Sequence, residues 1–152
     1  MKLAEMDSEI AQKLINTFMQ FRRSGWHEKK IAGFNPSEFK IMAVIKQGMK
    51  ETGGGMKVSE ISQRLHVTPP TVTQLINALE KDGLVERTID PNDRRSVIVK
   101  LTAKGVEVTG KARKAFRETF LGLIDYLGEE DSDKLAELLS KVNEYYLNLN
   151  RK

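Results

Sequence analysis

Apolar residues along this chain recur mostly at helical spacing. Leu3, Met6, Ile10, Leu14, Phe18 and Phe21 return every three or four positions, which predicts an amphipathic helix ending near Ser24. Gly25 to Gly33 breaks the pattern. Asn35-Pro36-Ser37-Glu38 then supplies a capping residue, a proline for the first turn and an acid three residues after the cap. A second helix is expected through Phe39, Met42, Ala43, Val44 and Ile45. Gly48 and Gly53-Gly54-Gly55 predict a flexible linker from Lys46 to Lys57.

Val58, Ile61 and Leu65 form a short helical stripe, and Val72, Leu75, Ile76 and Leu79 form the next. Thr68 is placed to cap that later helix, with Pro69 and Pro70 in its first turn, where no amide partner is lost. Gly83 is its expected stop. Leu84 to Ile89 and Ser96 to Leu101 are β-rich segments around the polar turn Asp90-Pro91-Asn92-Asp93-Arg94-Arg95. Thr102 should cap a long helix to about Leu127, carrying Val106, Ala112, Phe116, Phe120, Leu123 and Leu127. Gly128 breaks it. Glu129, Glu130 and Asp131 suit the positive end of a last helix, whose stripe is Leu135, Leu138, Leu139, Val142, Tyr145, Tyr146 and Leu149. The predicted class is mostly α with a small β-hairpin.

Composition narrows the chemistry. Lys and Arg number 25 against 21 Asp and Glu, a net charge of +4 that inclines only mildly toward polyanions. The absence of cysteine excludes disulfides and thiol-based metal or redox sites, and fits a cytoplasmic protein. No apolar run approaches the roughly 20 residues that span a bilayer, so no membrane partner is expected. The start, Met1-Lys2-Leu3-Ala4-Glu5, is broken by an acid and does not read as a signal peptide. Gly48 and Gly53 invite comparison with a phosphate loop, but Gly54-Gly55 stands where Lys-Ser or Lys-Thr is needed and no strand precedes it. His27 and His66 belong to no metal-spaced cluster, and no nucleophile or zinc-protease motif appears, so neither cofactor nor catalysis is expected.

The chemistry lies instead on the helix after Thr68. On a wheel of 100° per residue its apolar stripe faces away from Pro70, Gln74, Asn77 and Lys81, with Thr71 and Thr73 on the flanks. A merely solvated face usually carries Lys and Glu. Gln and Asn can pair bidentately with adenine, and Thr can bond base or phosphate while its methyl meets thymine. Arg94 and Arg95 are expected at the hairpin tip, outside any strand and free to project into a minor groove, with Asp93 orienting an arginine. A short helix pair followed by an arginine-tipped ribbon suits double-stranded DNA.

Here the run Val58-Ser59-Glu60-Ile61, Leu65-x-Val67-Thr68-x-x-Thr71-Val72-Thr73, Leu79-Glu80-x-x-Gly83-Leu84-Val85-x-Arg87, Asp90-Pro91-x-Asp93-Arg94-Arg95 and Leu101-Thr102-x-x-Gly105 resembles the MarR family of bacterial transcription regulators. The resemblance covers nearly the whole chain. It implies a winged helix-turn-helix domain over residues 35–105. It also implies a dimerisation helix in residues 1–34 and further dimerisation helices in residues 106–152. Thr68 to Asn77 would match the recognition helix, Arg95 the wing arginine and Asp93 its orienting acid. Pro70 and Gln74 depart from the Ser and Arg common in the family, and the half-site is expected to lean toward adenine. A homodimer would read a pseudo-palindromic operator with half-sites about one helical turn apart.

Proteins of this kind often bind small aromatic acids between the dimer helices and the winged helix, and release DNA when they do. The candidate lining residues here are Arg23, Trp26, His27, Phe34 and Phe116, where ordinary packing and surface roles compete with an effector site. Three readings follow: a sequence-specific, homodimeric repressor relieved by a small aromatic or anionic ligand, a winged-helix module for protein assembly, and a ligand-independent architectural DNA binder.

Overall fold

The computed structural model describes residues 8–151, so the expectation for Leu3 and Met6 lies outside the described residues. The elements run α1 (Glu9–Arg23), α2 (Pro36–Thr52), β1 (Met56–Lys57), α3 (Val58–Leu65), α4 (Pro69–Lys81), β2 (Val85–Asp90), β3 (Asp93–Leu101), α5 (Ala103–Leu127) and α6 (Glu129–Asn150). Two compact units result, Met1–Thr109 and Gly110–Lys152, with α5 running from one into the other.

In the first unit α2 starts as its sequence dictates. The Asn35 side chain accepts from the Glu38 amide at 2.9 Å, and Glu38 accepts from the Asn35 amide at 3.3 Å, which satisfies two amides that a helix start leaves open. The helix then continues past Ile45 to Thr52, so the expected linker from Lys46 to Lys57 is corrected to Gly53–Gly55. Gly48 is not a breaker here. It lies buried in the helix, where a Cβ would collide with the Met56 side chain, so it marks a close approach between α2 and β1. Its cost of about 1 kcal/mol in a helix interior is outweighed by the burial of Ile41, Met42 and Ile45 on the same helix. A two-residue strand is too short for an alternation to show, and β1 escaped the sequence pattern for that reason.

The sheet has the order β1-β3-β2, all antiparallel, with Met56 opposite Val99 and Arg87 also opposite Val99 from the other side. Its inner face closes one core with three helices: Ile41, Met42 and Ile45 of α2, Ile61 of α3, Val72, Ile76 and Leu79 of α4, and Met56, Val85, Val99 and Leu101. Glu51 ties α2 to α3 by accepting from Arg64 at 2.9 Å. That bond, with one from Gln47, holds the Glu51 carboxyl below its ordinary range. Gly83, at φ 74°, ends α4 as expected. Thr102 caps α5 by accepting from the Gly105 amide, and its hydroxyl donates to the Gly83 carbonyl at 2.7 Å, pinning the start of α5 to the turn after α4.

The second unit is a helical hairpin turned at Gly128. A cleft of about 490 Å³ between its helices is lined by Phe120, Leu123, Ile124, Leu127, Leu135 and Leu139, among others. Among the described residues no helix is long and apolar enough to cross a membrane.

Candidate nucleic-acid interface

The start of α4 follows from its prolines. Pro69 and Pro70 carry no N–H, so a capping hydroxyl finds few amides to bond. Thr68 holds the expected N-cap position and its carbonyl accepts from the Val72 amide at 3.1 Å, but its side chain makes no bond to a helix amide. Its hydroxyl lies 2.9 Å from that of Thr71, linking two exposed hydroxyls at the positive end of the helix. The preceding turn is fixed by Ser62, whose hydroxyl donates to the Val67 carbonyl, and by His66, left-handed at φ 54°.

The wheel is borne out on its apolar side. Val72, Ile76 and Leu79 are fully buried and Leu75 half-buried, while Pro70, Thr71, Thr73, Gln74 and Asn77 of the helix and Thr68 at its cap are all exposed. Thr73 and Gln74 carry their groups into solvent from a helix whose other side is locked in the core. Asn77 differs from them: its amide oxygen accepts a hydrogen bond from Arg87 Nη2. The same guanidinium donates through Nη1 to Glu80 at 3.0 Å. Arg87, on β2, therefore joins the last turns of α4 to the hairpin. Nothing in the sequence marked it for this role, because the contact spans a turn whose geometry no spacing rule gives.

The hairpin differs from expectation in one respect. Arg94 and Arg95 are not outside the strands, because β3 begins at Asp93. Asp90 pairs with Asp93 around Pro91-Asn92, whereas Ile89 pairs with Val97, so Arg94, Arg95 and Ser96 stand opposite no β2 residue and bulge from the ladder. The bulge projects both arginines, which are exposed, and among the described residues neither guanidinium is in an ion pair. Asp93 orients the arginine through its backbone. Its carboxylate accepts from the Arg95 amide at 3.0 Å and from the Ser96 hydroxyl at 3.0 Å. Those two bonds, the Arg95 amide first, hold the Asp93 carboxyl below the usual aspartate range. At the base of the turn Asp90 accepts from the Asn92 amide at 2.9 Å and faces Lys57 Nζ at 3.9 Å.

A profile of the MarR family matches residues 34–97, which run from just before α2 into β3. The chain is also 30% identical over 149 residues to the HTH-type transcriptional regulator YkoM of Bacillus subtilis (strain 168), covering 93% of both chains. The chain belongs to the MarR family. A second relative in the same organism, the HTH-type transcriptional repressor MdtR, is 30% identical over 141 residues, which cover 91% of this chain and 86% of MdtR. The repressor CouR bound to a 23-mer DNA duplex superposes with a TM-score of 0.67 at 25% identity, covering 94% of this chain and 98% of CouR. A mutant of Escherichia coli MarR complexed with operator DNA has a TM-score of 0.64 at 23% identity, covering 93% of this chain and 99% of that one, and shares the fold. This chain is therefore a MarR-family transcriptional regulator with a winged helix, and two of its structural neighbours, CouR and the MarR mutant, are bound to DNA.

The effector candidates are less united. Trp26 stacks on Phe21 with ring centroids 5.4 Å apart, and His27 meets its edge at 5.9 Å. Arg23 is exposed in the last turn of α1. Phe34 packs against the core of the first unit, its backbone paired with Ile31. Phe116 belongs to the second unit, where it meets Phe120 edge-on at 5.1 Å. Trp26 and His27 are thus adjacent, with Phe21 as a third ring that the sequence reading did not single out. Among the described residues no group of His, Cys, Asp and Glu could hold a metal ion.

Proposed function

We propose that this MarR-family regulator is a homodimeric, sequence-specific repressor whose α4 enters the major groove and whose hairpin carries Arg94 and Arg95 to the flanking minor groove. The observation that carries this is the conjunction on one folded unit of an exposed Thr68, Pro70, Thr71, Thr73, Gln74 and Asn77 face with two exposed arginines on a bulge braced by Asp93. Repression is supported by MdtR and CouR, which are repressors, CouR bound to a duplex. Dimerisation through residues 1–34 and 106–152, with residues 35–105 as the reading domain, is supported by the apolar side chains left exposed on α1, α5 and α6. Release by a small aromatic or anionic ligand is the finer part of the proposal. It draws on Trp26, half exposed although it is the chain's one tryptophan, beside His27 and near Arg23 in sequence.

The test is fluorescence anisotropy on duplex from upstream of the chain's own gene, against random duplex, at several salt concentrations. Specific binding that survives competitor is expected, and Arg95→Ala should weaken it while flattening the salt slope by about one unit. Equal, salt-labile binding to both duplexes would point to an architectural binder. Unchanged affinity in Arg95→Ala would overturn the wing assignment.

A further inference from the structure

Asn77 is the exposed residue of α4 whose base preference would ordinarily be assigned to adenine, because an amide can donate and accept at once. Its surroundings here remove half of that capacity. Arg87 carries only donors, so the group it bonds must be the amide oxygen, and the two ends of the Asn77 amide cannot be exchanged without setting an N–H against an N–H. Glu80 fixes the guanidinium from its other side at 3.0 Å. On the wheel Thr73 and Glu80 lie on the flank of α4 toward which Arg87 reaches, while Asn77 stands between that flank and the row of Pro70, Gln74 and Lys81. The oxygen is therefore held toward the hairpin, and the NH₂ group is the part of Asn77 left for a partner.

We propose that Arg87 is a positioning residue for base recognition: it orients Asn77 so that α4 offers DNA a hydrogen-bond donor, not an adenine-type donor–acceptor pair, at this step. The inference rests on α4 lying in the major groove. The base edges that accept such a donor are guanine, through O6 and N7 side by side, and thymine, through O4; cytosine presents a donor and is disfavoured. The same contact neutralises Glu80, whose carboxylate would otherwise repel the phosphates beside the groove. Sequence alone leaves Asn77 free to read adenine; the contact with a strand residue ten positions later decides otherwise.

The experiment is selection of tight-binding duplexes from a randomised pool with the full-length protein and with Asn77→Ala, Asn77→Asp and Arg87→Met. Asn77→Ala should flatten one position in each half-site, and the wild type should select guanine or thymine there, by about ten-fold over adenine or cytosine. Asn77→Asp keeps a partner for Arg87 but replaces the donor with an acceptor, and should move that position to cytosine or adenine. Arg87→Met frees the amide to turn and should admit adenine. An adenine at the flattened position in the wild type, no position flattened by Asn77→Ala, or no change of base with Asn77→Asp would overturn the proposal. A wild type that enriches no duplex would overturn the DNA-reading assignment of α4 and this inference with it. A wild type that enriches a site weakened by Arg95→Ala, with the Asn77 variants unaltered, would overturn this inference alone.

Discussion

At the residue scale the bulge of the hairpin is held from within by Asp93. One carboxylate holds the Arg95 amide and the Ser96 hydroxyl, and without it the bulge has no internal bond among those found at its arginines. Asp93→Ala should therefore reduce DNA affinity several-fold while leaving the melting temperature unchanged, since the residue is exposed and outside the core. The pH dependence has a definite sign. The folded carboxyl titrates below its unfolded value, so its contribution to hairpin order is complete above the ordinary aspartate pKa, about 3.9, and is lost as pH falls through the lower folded value. Carboxyl-carbon NMR titration of Asp93 checks this; a midpoint at or above the ordinary value would contradict the brace.

At the scale of the element, what could be read from sequence was whatever local chemistry decides. Asn35 and Glu38, Gly83, Thr102 and the apolar stripes of α3 and α4 set boundaries through contacts within a few residues, and these boundaries were legible. Gly48 was misread because its meaning lies in a side chain packed from another element, Met56. The contact between Arg87 and Asn77 was hidden for the same reason, and so was the strand character of Asp93 to Arg95, which depends on register with β2. Gly105 shows how far such a contact can matter. It is buried in the first turns of α5, where a Cβ would overlap the Leu84 carbonyl oxygen, a backbone atom that cannot rotate away as the Met56 side chain can beside Gly48. Gly105→Ala should cost about 1–3 kcal/mol or more, despite the gain of roughly 1 kcal/mol in helix propensity. Gly48→Ala should cost less. Thermal unfolding of the two variants checks the ranking, and a Gly105→Ala protein as stable as the wild type would show that α5 can shift away from Leu84.

At the scale of the whole molecule, one observation asks for a second chain. In the described part of the second unit Ala112 is the buried residue, while Phe116, Phe120, Leu138, Leu139, Tyr145, Tyr146 and Leu149 each stand 40–60% exposed. Full burial of each large apolar side chain stabilises by about 1.5–3 kcal/mol, so a hairpin left in this state forgoes much of the energy its sequence carries. The net charge of +4 is too small to hold such faces apart. A two-fold pairing of copies would cover them and place two α4 helices for a two-fold operator. Leu138 and Tyr145 lie two turns apart on one face of α6 and outside the α5–α6 cleft, so Leu138→Asp with Tyr145→Asp should leave the hairpin folded and break the pairing. Sedimentation is expected to move from twice the chain mass toward 17.2 kDa. DNA affinity should fall by about 10²–10⁴ as two linked contacts become one, and the melting temperature should lose its dependence on protein concentration. A wild type that sediments as a single chain at the concentrations where it binds DNA would refute the pairing, and would require the apolar faces of α5 and α6 to be covered from within the chain itself.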